Sequence, residues 1–394
     1  MRSCTNCLLP ETHETITFEE STCNICTNSK KKKKIVDWKD RKSQLDNIIS
    51  EYKKQNNNYD CIIPFSGGKD SSWNAYYLKK NYNLKPLLVR FDHGFLRKNL
   101  NENVKKLCKK LGLDIVSFKP DWKTTQKLML KSLIDKGDFC WHCHTGIYTY
   151  PIRVALEKKI PLIIWGEGSG EYEDYYHIDD LKSINERYIN RVVNLGINAE
   201  DMFLRFNGEI KRQDLLPYTY PTKREMKDFE IKSICLGDYI QWDIKKHVEI
   251  LKKEIGWRGD VVENVPPEYD YEKIECYMQG VRDYIKYIKR GYSRATHLVS
   301  LDLRNGRINK EKAKEIIKLY EGKRPATLDI FLDYIGLSEE QFNTVVSSHI
   351  VKPNVHNFES KTNSKKNPDH DTYDTSGKMD KKYAQSKFKE WFLE

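Results

Sequence analysis

The sequence predicts an α/β protein built on a parallel sheet, with a small cysteine-rich module before it and a mainly helical part after it. From residue 59 to about 166, short apolar runs alternate with amphipathic helical patterns, which is typical of buried parallel strands joined by crossover helices. The first 26 residues carry two CxxC pairs. After about residue 236, amphipathic helical patterns dominate. We therefore expect domains at 1–34, 35–235 and 236–355, followed by a polar, disordered tail at 356–394.

Length and composition limit the class of protein. The chain has 394 residues, 39% of them hydrophobic and 32% charged, with a formal net charge of +11. No apolar run approaches the roughly 18 residues of a membrane-spanning helix, and cysteines precede any apolar stretch at the N-terminus. We therefore expect a cytoplasmic protein with no membrane anchor and no secretory signal. The positive charge favours anionic partners without choosing between nucleotides, nucleic acid and phosphorylated sugars.

The N-terminal module holds the four cysteines Cys4, Cys7, Cys23 and Cys26. Each CxxC pair can form a knuckle with two thiolates, and two knuckles complete a tetrahedral site around a hairpin with a strand at 15–18. The arrangement is similar to a zinc ribbon. Because four thiolates leave no open coordination position, we expect structural zinc; two redox-active dithiols are the alternative. The lysine run at 30–34 is interpreted as a solvated linker, with a nucleic-acid patch as the alternative.

The central domain is predicted from its apolar runs and helical patterns. The predicted strands cover 60–65, 86–91, 114–118 and 161–165. The predicted helices between them cover 72–80, 100–111 and 122–134. In the C-terminal part, helices are predicted at 240–255, 274–290, 310–320 and 338–347, with a short terminal helix at 383–392. Residues 359–380 are expected to be disordered.

A glycine-rich turn joins the first predicted strand to its helix. It contains Ser66, two glycines, Lys69, Asp70 and Ser71. Glycines let the backbone fold around an anion, and freed N–H groups together with a helix N-terminus hold phosphate. The two serine hydroxyls can donate to phosphate oxygens, Lys69 can add charge, and Asp70 can cap the helix or orient the loop. A chance turn is the alternative reading, and the pattern is neither a Walker A loop nor GxGxxG.

Polar segments also follow the second and fourth predicted strands, at the edge where open α/β sheets bind ligands. Asp92 is interpreted as a nucleotide contact, with a solvated loop residue as the alternative, and His93 as a loop residue. Gly166 is expected beside the nucleotide. The acidic residues of the following loop are expected to hold magnesium or to orient the reacting group, unless they are only a charged surface: Glu167, Glu171 and Asp174.

A second cysteine pair lies at 140–143, interleaved with histidines. We interpret Cys140, His142, Cys143 and His144 as the wall of a substrate pocket. A second metal site and a persulfide-carrying cysteine pair are the alternatives, and a purely structural role is also open. The sequence offers no paired knuckle nearby to complete a metal site.

The loop at 66–71 has the form SGGxDS and resembles the PP-loop of the ATP pyrophosphatase superfamily, which includes asparagine synthetase, GMP synthetase and tRNA thiolation enzymes. The resemblance implies an adenine nucleotide α-hydrolase-like fold. It also implies that ATP is cut between its α and β phosphates, that AMP is transferred to a carbonyl oxygen with magnesium present, and that a nitrogen or sulfur nucleophile displaces AMP. The residues expected to bind ATP are Ser66, Gly67, Gly68, Asp70, Ser71, Ser72, Asp92 and Gly166, and those expected to act in catalysis are Asp70, Ser66, Lys69 and Glu167.

Longer segments carry a more specific resemblance. CTNCLLPET, PFSGGKDSS, FCWHCHTGI, IPLIIWGEGSGEYEDY and IECYMQGVRDYIKYIKRGYSRATHLVSLDLRNGRI occur in this order. Over about residues 3–335 the chain resembles the bacterial N-acetyl sugar amidotransferases of surface-polysaccharide and flagellar-glycan synthesis. The resemblance implies that ATP activates the N-acetyl group of a nucleotide sugar and that ammonia converts it to an acetamidino group. Ammonia would come from glutamine through partners that resemble the glutaminase and cyclase subunits of imidazole glycerol phosphate synthase.

The residues are coherent with this reading. No glutaminase domain with its own cysteine nucleophile fits beside the expected domains. Arginines of the helical part suit the diphosphate of a nucleotide sugar, and we expect Arg282, Arg294 and Arg304 to bind it; a solvated helix face is the alternative. The sugar itself stays open between a diacetamido uronic acid and a nonulosonic acid. The alternative function is tRNA thiolation, with sulfur carried by Cys140 or Cys143, and a non-enzymatic scaffold ranks below it. We expect no nucleic-acid partner.

Overall fold

The computed structural model describes residues 1–53, 58–166, 181, 184–358 and 377–393. Its strands are β1 (Phe18–Glu19), β2 (Thr22–Cys23), β3 (Cys61–Pro64), β4 (Pro86–Phe91), β5 (Asp114–Phe118), β6 (Leu162–Trp165) and β7 (Lys232–Cys235). Its α-helices are α1 (Asn24–Ile35), α2 (Trp38–Lys53), α3 (Lys69–Tyr82), α4 (Lys98–Leu111), α5 (Trp122–Lys136), α6 (Trp141–Lys158), α7 (Glu186–Tyr188), α8 (Ala199–Arg205), α9 (Ile244–Ile255), α10 (Gln279–Arg290), α11 (Arg294–Arg304), α12 (Lys310–Tyr320), α13 (Thr327–Ile335), α14 (Glu339–Ser347) and α15 (Lys381–Phe388). Short 3-10 segments cover Arg212–Tyr218, Leu236–Asp238 and Pro267–Tyr269, and π-helical turns cover Ile189–Val193 and Lys389–Leu393.

The five-stranded sheet confirms the predicted parallel core. Its order is β5-β4-β3-β6-β7, and every neighbouring pair is parallel. The chain adds β4 and β5 on one side of β3 and then crosses to the other side for β6. The loops that follow β3 and β6 therefore diverge at the carboxyl edge, which is where open α/β sheets bind ligands.

Helices cover both faces of this sheet. One core combines β3 with α3, α4 and α9, and a second core sets the opposite face against α6 and the π-helical turn at Ile189–Val193. The inner strands are buried on both faces because helices cover both of them, which explains their continuous apolar sequences. β5 lies at the edge and is only partly buried. None of the helices in the described part of the chain is both long and apolar enough to cross a bilayer.

The helical part has a separate core that reaches beyond its expected boundary. α5, which lies within the expected central domain, packs with α10, α13, α14 and α15 around Phe331 and Phe342. The predicted terminal helix at 383–392 is confirmed by α15 and the π-helical turn that follows it. The expected disorder is wrong for residues 377–380, since Met379 is buried in this core and its amide donates to the Tyr334 carbonyl at 3.0 Å. Residues 359–376, where disorder was also expected, lie outside the described residues. The other domain boundaries stay predictions.

The N-terminal module is a small hairpin, but its strands are shorter than predicted. β1 begins at Phe18, rather than at residue 15, and pairs with β2 in antiparallel register. The lysine run is not a linker: it lies in α1, whose start is capped by the Cys23 sulfur accepting from the Cys26 amide. Lysine is a good helix former, so a run of lysines continues a helix that has been started this way.

A partly exposed ion pair docks this hairpin onto α10. The Glu14 carboxylate lies 3.2 Å from Nε of Arg290 and 3.6 Å from Nζ of Lys286, and the Tyr292 hydroxyl donates to it at 2.7 Å. Burial disfavours the carboxylate, but Lys286 and Arg290 outweigh that cost and lower the pKa of Glu14 to about 2. The hairpin therefore rests on the helical part rather than on the sheet.

Candidate active site

The loop between β3 and α3 is held together by its own serines. The Ser71 hydroxyl oxygen accepts hydrogen bonds from the backbone N–H groups of Ser66 and Gly67, both at 3.2 Å. The Ser66 hydroxyl oxygen accepts from the Gly68 amide at 3.2 Å, and Ser72 donates to the Gly67 carbonyl at 3.2 Å. The two serine hydroxyls thus hold the amides of Ser66, Gly67 and Gly68 in the turn that leads into α3. The N-terminal N–H groups of a helix are the usual backbone donors to an anion.

The two central glycines of this loop have different surroundings. Gly67 has φ +90, and a Cβ there would lie 2.7 Å from Cγ2 of Val104. Gly68 has an ordinary backbone, but a Cβ there would lie 1.8 Å from Oε1 of Glu275. The helical part therefore places a carboxylate directly against the phosphate loop.

The loops after β3 and β6 meet as the topology requires. A Cβ on Gly166 would lie 3.1 Å from the Asp70 carbonyl, so only a glycine lets these loops approach so closely. The Trp257 indole donates to the Gly67 carbonyl at 3.1 Å and fixes the far side of the loop. The Asn74 side chain in α3 donates to the Ile164 carbonyl of β6 at 2.8 Å. The phosphate loop is consequently anchored to two neighbouring strands.

Lys69 does not lie where we expected it. Its side chain is 3% exposed, and its ammonium group lies 2.8 Å from Oδ2 of Asp70 and 3.1 Å from Oε2 of Glu272. Glu272 is wholly buried and also pairs with Arg294 at 3.3 Å. The expected role of Lys69, to add charge at the phosphates, is thus not supported by its position.

A cavity of about 250 Å³ opens beside the phosphate loop. Its wall includes Ser66, Asp70 and Ser71 from the loop and Gly166 from the end of β6. Another part of the wall comes from the helical part and is mainly polar. The residues on that wall are Lys273, Glu275, Cys276, Gln279 and Arg282.

The second cysteine pair divides between this cavity and the core. Cys143 and His144 line the cavity, whereas Cys140 and His142 are buried residues at the start of α6 that do not appear among its described lining. Burial raises the pKa of both cysteine thiols, so they are protonated at neutral pH. Burial, aided by the charge of Arg282, lowers the pKa of His144 to about 3, which makes its imidazole neutral.

The three arginines expected to bind substrate have different surroundings. Arg282 lines the cavity close to Asp138; burial raises the pKa of that carboxyl, but Arg282 and His144 outweigh burial and lower it overall. Arg294 is held by Glu272 and Asp283, and Arg304 donates to the Ser300 hydroxyl at 2.6 Å. Among the described residues, only Arg282 of the three is part of the cavity wall.

The structure also places the remaining predicted residues. Asp92 accepts from the Gly94 amide at 2.9 Å and so orders its own turn, while His93, interpreted as a loop residue, lines the cavity. Ser72 is buried and supports the loop from behind. The acidic residues Glu167, Glu171 and Asp174 lie outside the described residues.

Sequence reasoning missed Arg90, Lys273, Glu275, Cys276 and Gln279 on the cavity wall. One signal was available for part of this set. Glu275, Gln279 and Arg282 are polar positions spaced three and four residues apart beside an apolar helical stripe, which places them on one side of α10 and its approach. No comparable signal marks Arg90, the penultimate residue of an otherwise apolar strand.

The four N-terminal cysteines converge as predicted. Their sulfur atoms all lie within 4.8 Å of one another and are buried. The sulfurs of Cys4 and Cys26 are 3.9 Å apart, and those of Cys7 and Cys23 are 3.6 Å apart. A tetrahedral ion with metal–sulfur bonds of about 2.3 Å requires sulfur separations of about 3.8 Å. Interaction with the neighbouring thiols, Cys23 first, raises the pKa of Cys26, so a cation is needed for four thiolates to share this space.

The helical part is similar to a known protein family. Residues 268–386 match the family model described as "LPS biosynthesis protein WbpG-like, C-terminal domain". A curated relative, "Uncharacterized protein MJ1599" of Methanocaldococcus jannaschii, is 29% identical over 164 residues, which cover 36% of this chain and 58% of the relative. The chain therefore spans little more than half of that relative. The part of the protein that supplies Lys273, Glu275 and Arg282 is thus similar to a domain of lipopolysaccharide biosynthesis.

Solved structures were also compared with the chain. The U34-tRNA thiolase NcsA from Methanococcus maripaludis, solved with its [4Fe-4S] cluster, has 14% identity and a TM-score of 0.30, with 82% of this chain and 87% of that chain covered. The NH3-dependent NAD synthetase from Campylobacter jejuni has 16% identity and a TM-score of 0.28, with 58% of this chain and all of that chain covered. The fold class rests on the sheet order and the loop described above.

Proposed function

We propose that the protein is an ATP-dependent, AMP-forming amidotransferase that converts the N-acetyl group of a nucleotide-activated sugar into an acetamidino group, in the biosynthesis of lipopolysaccharide or a related surface glycan. One observation carries the proposal. The phosphate loop and the segment that matches the lipopolysaccharide-biosynthesis family both line one cavity. A nucleotide and a sugar substrate would therefore meet in one site.

The phosphate loop would bind the β and γ phosphates of ATP. The N–H groups of the first turn of α3 would donate to these phosphates. The serine hydrogen bonds hold the loop before the substrate arrives, which would limit the reorganisation needed to stabilise the leaving pyrophosphate. In the first step the amide oxygen of the N-acetyl group attacks the α-phosphorus. The new bond joins this oxygen to phosphorus, and the bond between the α-phosphorus and the bridging oxygen breaks as pyrophosphate leaves.

In the second step ammonia attacks the activated carbon. A carbon–nitrogen bond forms, and AMP leaves with the electron pair of the carbon–oxygen bond, so one oxygen of the sugar is replaced by NH. The proton released goes to solvent. His144 lies at this wall as a neutral imidazole that can accept a hydrogen bond from the incoming nitrogen. Arg282 would bind an anionic group of the sugar nucleotide, because it lines the cavity and a guanidinium suits bidentate recognition of phosphate or carboxylate.

Two metals accompany the proposal. Magnesium would neutralise phosphate charge, and the carboxylates of Asp70 and Glu275 at the cavity supply the oxygen ligands it prefers. Zinc would be structural and held by the four N-terminal cysteines, whose sulfur separations fit a tetrahedral ion. We also propose that ammonia is delivered by a glutaminase and a cyclase-like subunit, so the protein itself would use free ammonium in vitro.

A product assay tests this function. The zinc-replete protein is incubated with ATP, magnesium, ammonium and a panel of N-acetylated nucleotide sugars, and AMP release and sugar mass are followed. We expect AMP in equal amount to a sugar in which one oxygen has become NH. Arg282→Ala should raise KM for the sugar nucleotide more than KM for ATP, whereas Arg304→Ala, bonded to Ser300 outside the cavity, should change neither.

tRNA thiolation is the second candidate, because Cys143 and Cys276 place two thiols at the cavity wall. If AMP release depends on tRNA and not on any sugar, this candidate replaces the first. Cys143→Ser would then abolish sulfur transfer, whereas it should only weaken an amidotransferase. Cys108→Ser is the matched control, since Cys108 lies on α4 and is not among the described cavity residues.

A further inference from the structure

The lysine inside the phosphate loop, Lys69, is paired with two carboxylates. The Lys69 side chain turns away from the cavity into the protein and is 3% exposed. Its ammonium group is bound on one side by Asp70 at 2.8 Å and on the other by Glu272 at 3.1 Å. Asp70 lines the cavity, while Glu272 is fully buried and belongs to the helical part.

The ion pairs continue beyond Glu272. Its second oxygen lies 3.3 Å from Nη1 of Arg294, and Nη2 of the same guanidinium lies 3.4 Å from Oδ1 of Asp283. The Gln279 amide donates to that Asp283 oxygen at 2.9 Å, and Gln279 lines the cavity. The network therefore begins and ends at the cavity, and its middle is buried.

The charges in this network alternate. Asp70, Glu272 and Asp283 carry three negative charges against the two positive charges of Lys69 and Arg294. Although burial opposes ionisation, Lys69 and Arg294 hold the pKa of Glu272 at about 2, so this carboxyl stays charged. The positive charge of Lys69 is thus compensated by two carboxylates within the protein, so Lys69 is not expected to neutralise a phosphate group.

A second contact joins the same two parts of the chain. The Glu275 carboxylate, three residues after Glu272, lies against Gly68 so closely that a Cβ on Gly68 would be 1.8 Å from Oε1. The segment at 272–275 consequently contacts the phosphate loop at two adjacent residues, once from beneath and once at the cavity surface.

We propose that Lys69 and Glu272 are positioning residues of the ATP site rather than phosphate ligands. Glu272 holds Lys69, Lys69 holds Asp70 at the edge of the cavity, and the same pairs fix α10 and α11 to the phosphate loop. The proposal rests on the proposed function only in taking the cavity as the place where ATP phosphates bind.

Affinity for magnesium pyrophosphate, measured by calorimetry, distinguishes the two roles of Lys69. If Lys69 is a positioning residue, Glu272→Gln and Lys69→Met should each weaken this affinity by about tenfold. The double variant should bind pyrophosphate no more weakly than the single variant with the lower affinity. If Lys69 binds phosphate, Glu272→Gln frees its ammonium and should strengthen the affinity, while Lys69→Met alone weakens it. That opposite sign would overturn the proposal.

The reaction supplies a readout that a purely structural role would not move. Glu272→Gln should lower kcat by about 100-fold, because Asp70 is misplaced, with KM for the sugar unchanged. Lys69→Arg keeps the positive charge that pairs with both carboxylates, so this variant should retain most of the wild-type kcat. An unchanged kcat in a folded Glu272→Gln protein contradicts the inference.

Two further proteins keep the test decisive. Asp270→Asn removes a carboxylate two residues from Glu272 whose partner is the exposed Lys252, and it should leave affinity and rate unchanged. If Glu272→Gln fails to fold, Glu272→Asp carries the test with Lys69 intact, because the shortened side chain draws its carboxylate back from the Lys69 ammonium. Weaker affinity is then expected for a positioning role, and unchanged or stronger affinity contradicts it. A wild-type protein that binds neither pyrophosphate nor ATP refutes the proposed function itself, whereas a wild type that binds while the variants diverge refutes only the positioning role.

Discussion

Replacing Ser71 by alanine tests whether the phosphate loop is organised before ATP arrives. The Ser71 hydroxyl oxygen accepts from the amides of Ser66 and Gly67, both at 3.2 Å. A hydrogen bond of this kind contributes about 1 kcal/mol net, so Ser71→Ala should loosen the loop by about 2 kcal/mol. If that order must be restored when phosphate binds, the affinity for magnesium pyrophosphate falls by about 30-fold, since ~1.4 kcal/mol corresponds to a factor of ten.

Ser72→Ala is the matched control for this prediction. Ser72 is buried behind the loop and makes one hydrogen bond to it, to the Gly67 carbonyl at 3.2 Å. One bond of about 1 kcal/mol predicts a loss of affinity of about fivefold. Calorimetric titration of both variants and of Ser71→Thr, which keeps the hydroxyl, decides the matter. Wild-type affinity in Ser71→Ala, or a larger loss in Ser72→Ala than in Ser71→Ala, would refute the preorganised loop.

Three further predictions concern stability. Metal analysis should find one ion bound by the four N-terminal cysteines of each chain. A chelator or Cys7→Ser should unfold the N-terminal hairpin, since a structural zinc contributes on the order of 10 kcal/mol. A hairpin that stays folded without metal would contradict a structural role for the ion. Gly94→Ala should lower the free energy of unfolding by about 3 kcal/mol, because φ is +95 and the new Cβ would lie 2.2 Å from the Trp122 ring. Gly112→Ala is the control: with φ +62 and open space around its Cβ, it should lower the free energy of unfolding by about 1 kcal/mol. Denaturant unfolding measures both changes. Glu14 has a pKa lowered to about 2, so the stability it contributes is complete above its ordinary value of about 4.5 and is lost as the pH falls through about 2. Glu14→Gln should remove that part of the acid transition, followed by fluorescence.

The sequence predicted the bounds of three elements, of which only β4 is buried throughout. β4 and β5 have the predicted bounds, and α12 does as well. Buried strands with helices on both faces are apolar throughout, and that pattern needs no knowledge of distant residues. α6 was missed because Gly146 and Pro151 interrupt it and because its aromatic and histidine content suggested a pocket. The interior glycine is explained by packing, since a Cβ on Gly146 would lie 2.3 Å from the Phe91 ring.

The candidate site was predictable only where its residues are neighbours in sequence. The serines and glycines of the phosphate loop act within one turn, so their pattern carries their geometry. The cysteine cluster was predictable for a similar reason, because each CxxC pair fixes two ligands locally. Arg282 lines the cavity, and its role as a substrate ligand stays a prediction. The sequence offered no means of separating it from Arg294, whose charge is compensated by buried carboxylates.

Lys69 shows why the remaining part of the site requires the fold. From the sequence, a lysine inside a phosphate loop is expected to bind phosphate, because nothing nearby competes for its charge except Asp70. The competing carboxylate, Glu272, belongs to the helical part and reaches Lys69 only after that part packs against α3. A buried ammonium is stable only with such a partner. The loop sequence therefore places a lysine at position 69, but the carboxylate of the helical part determines where its side chain lies. The phosphate loop and the helical part consequently build one site together.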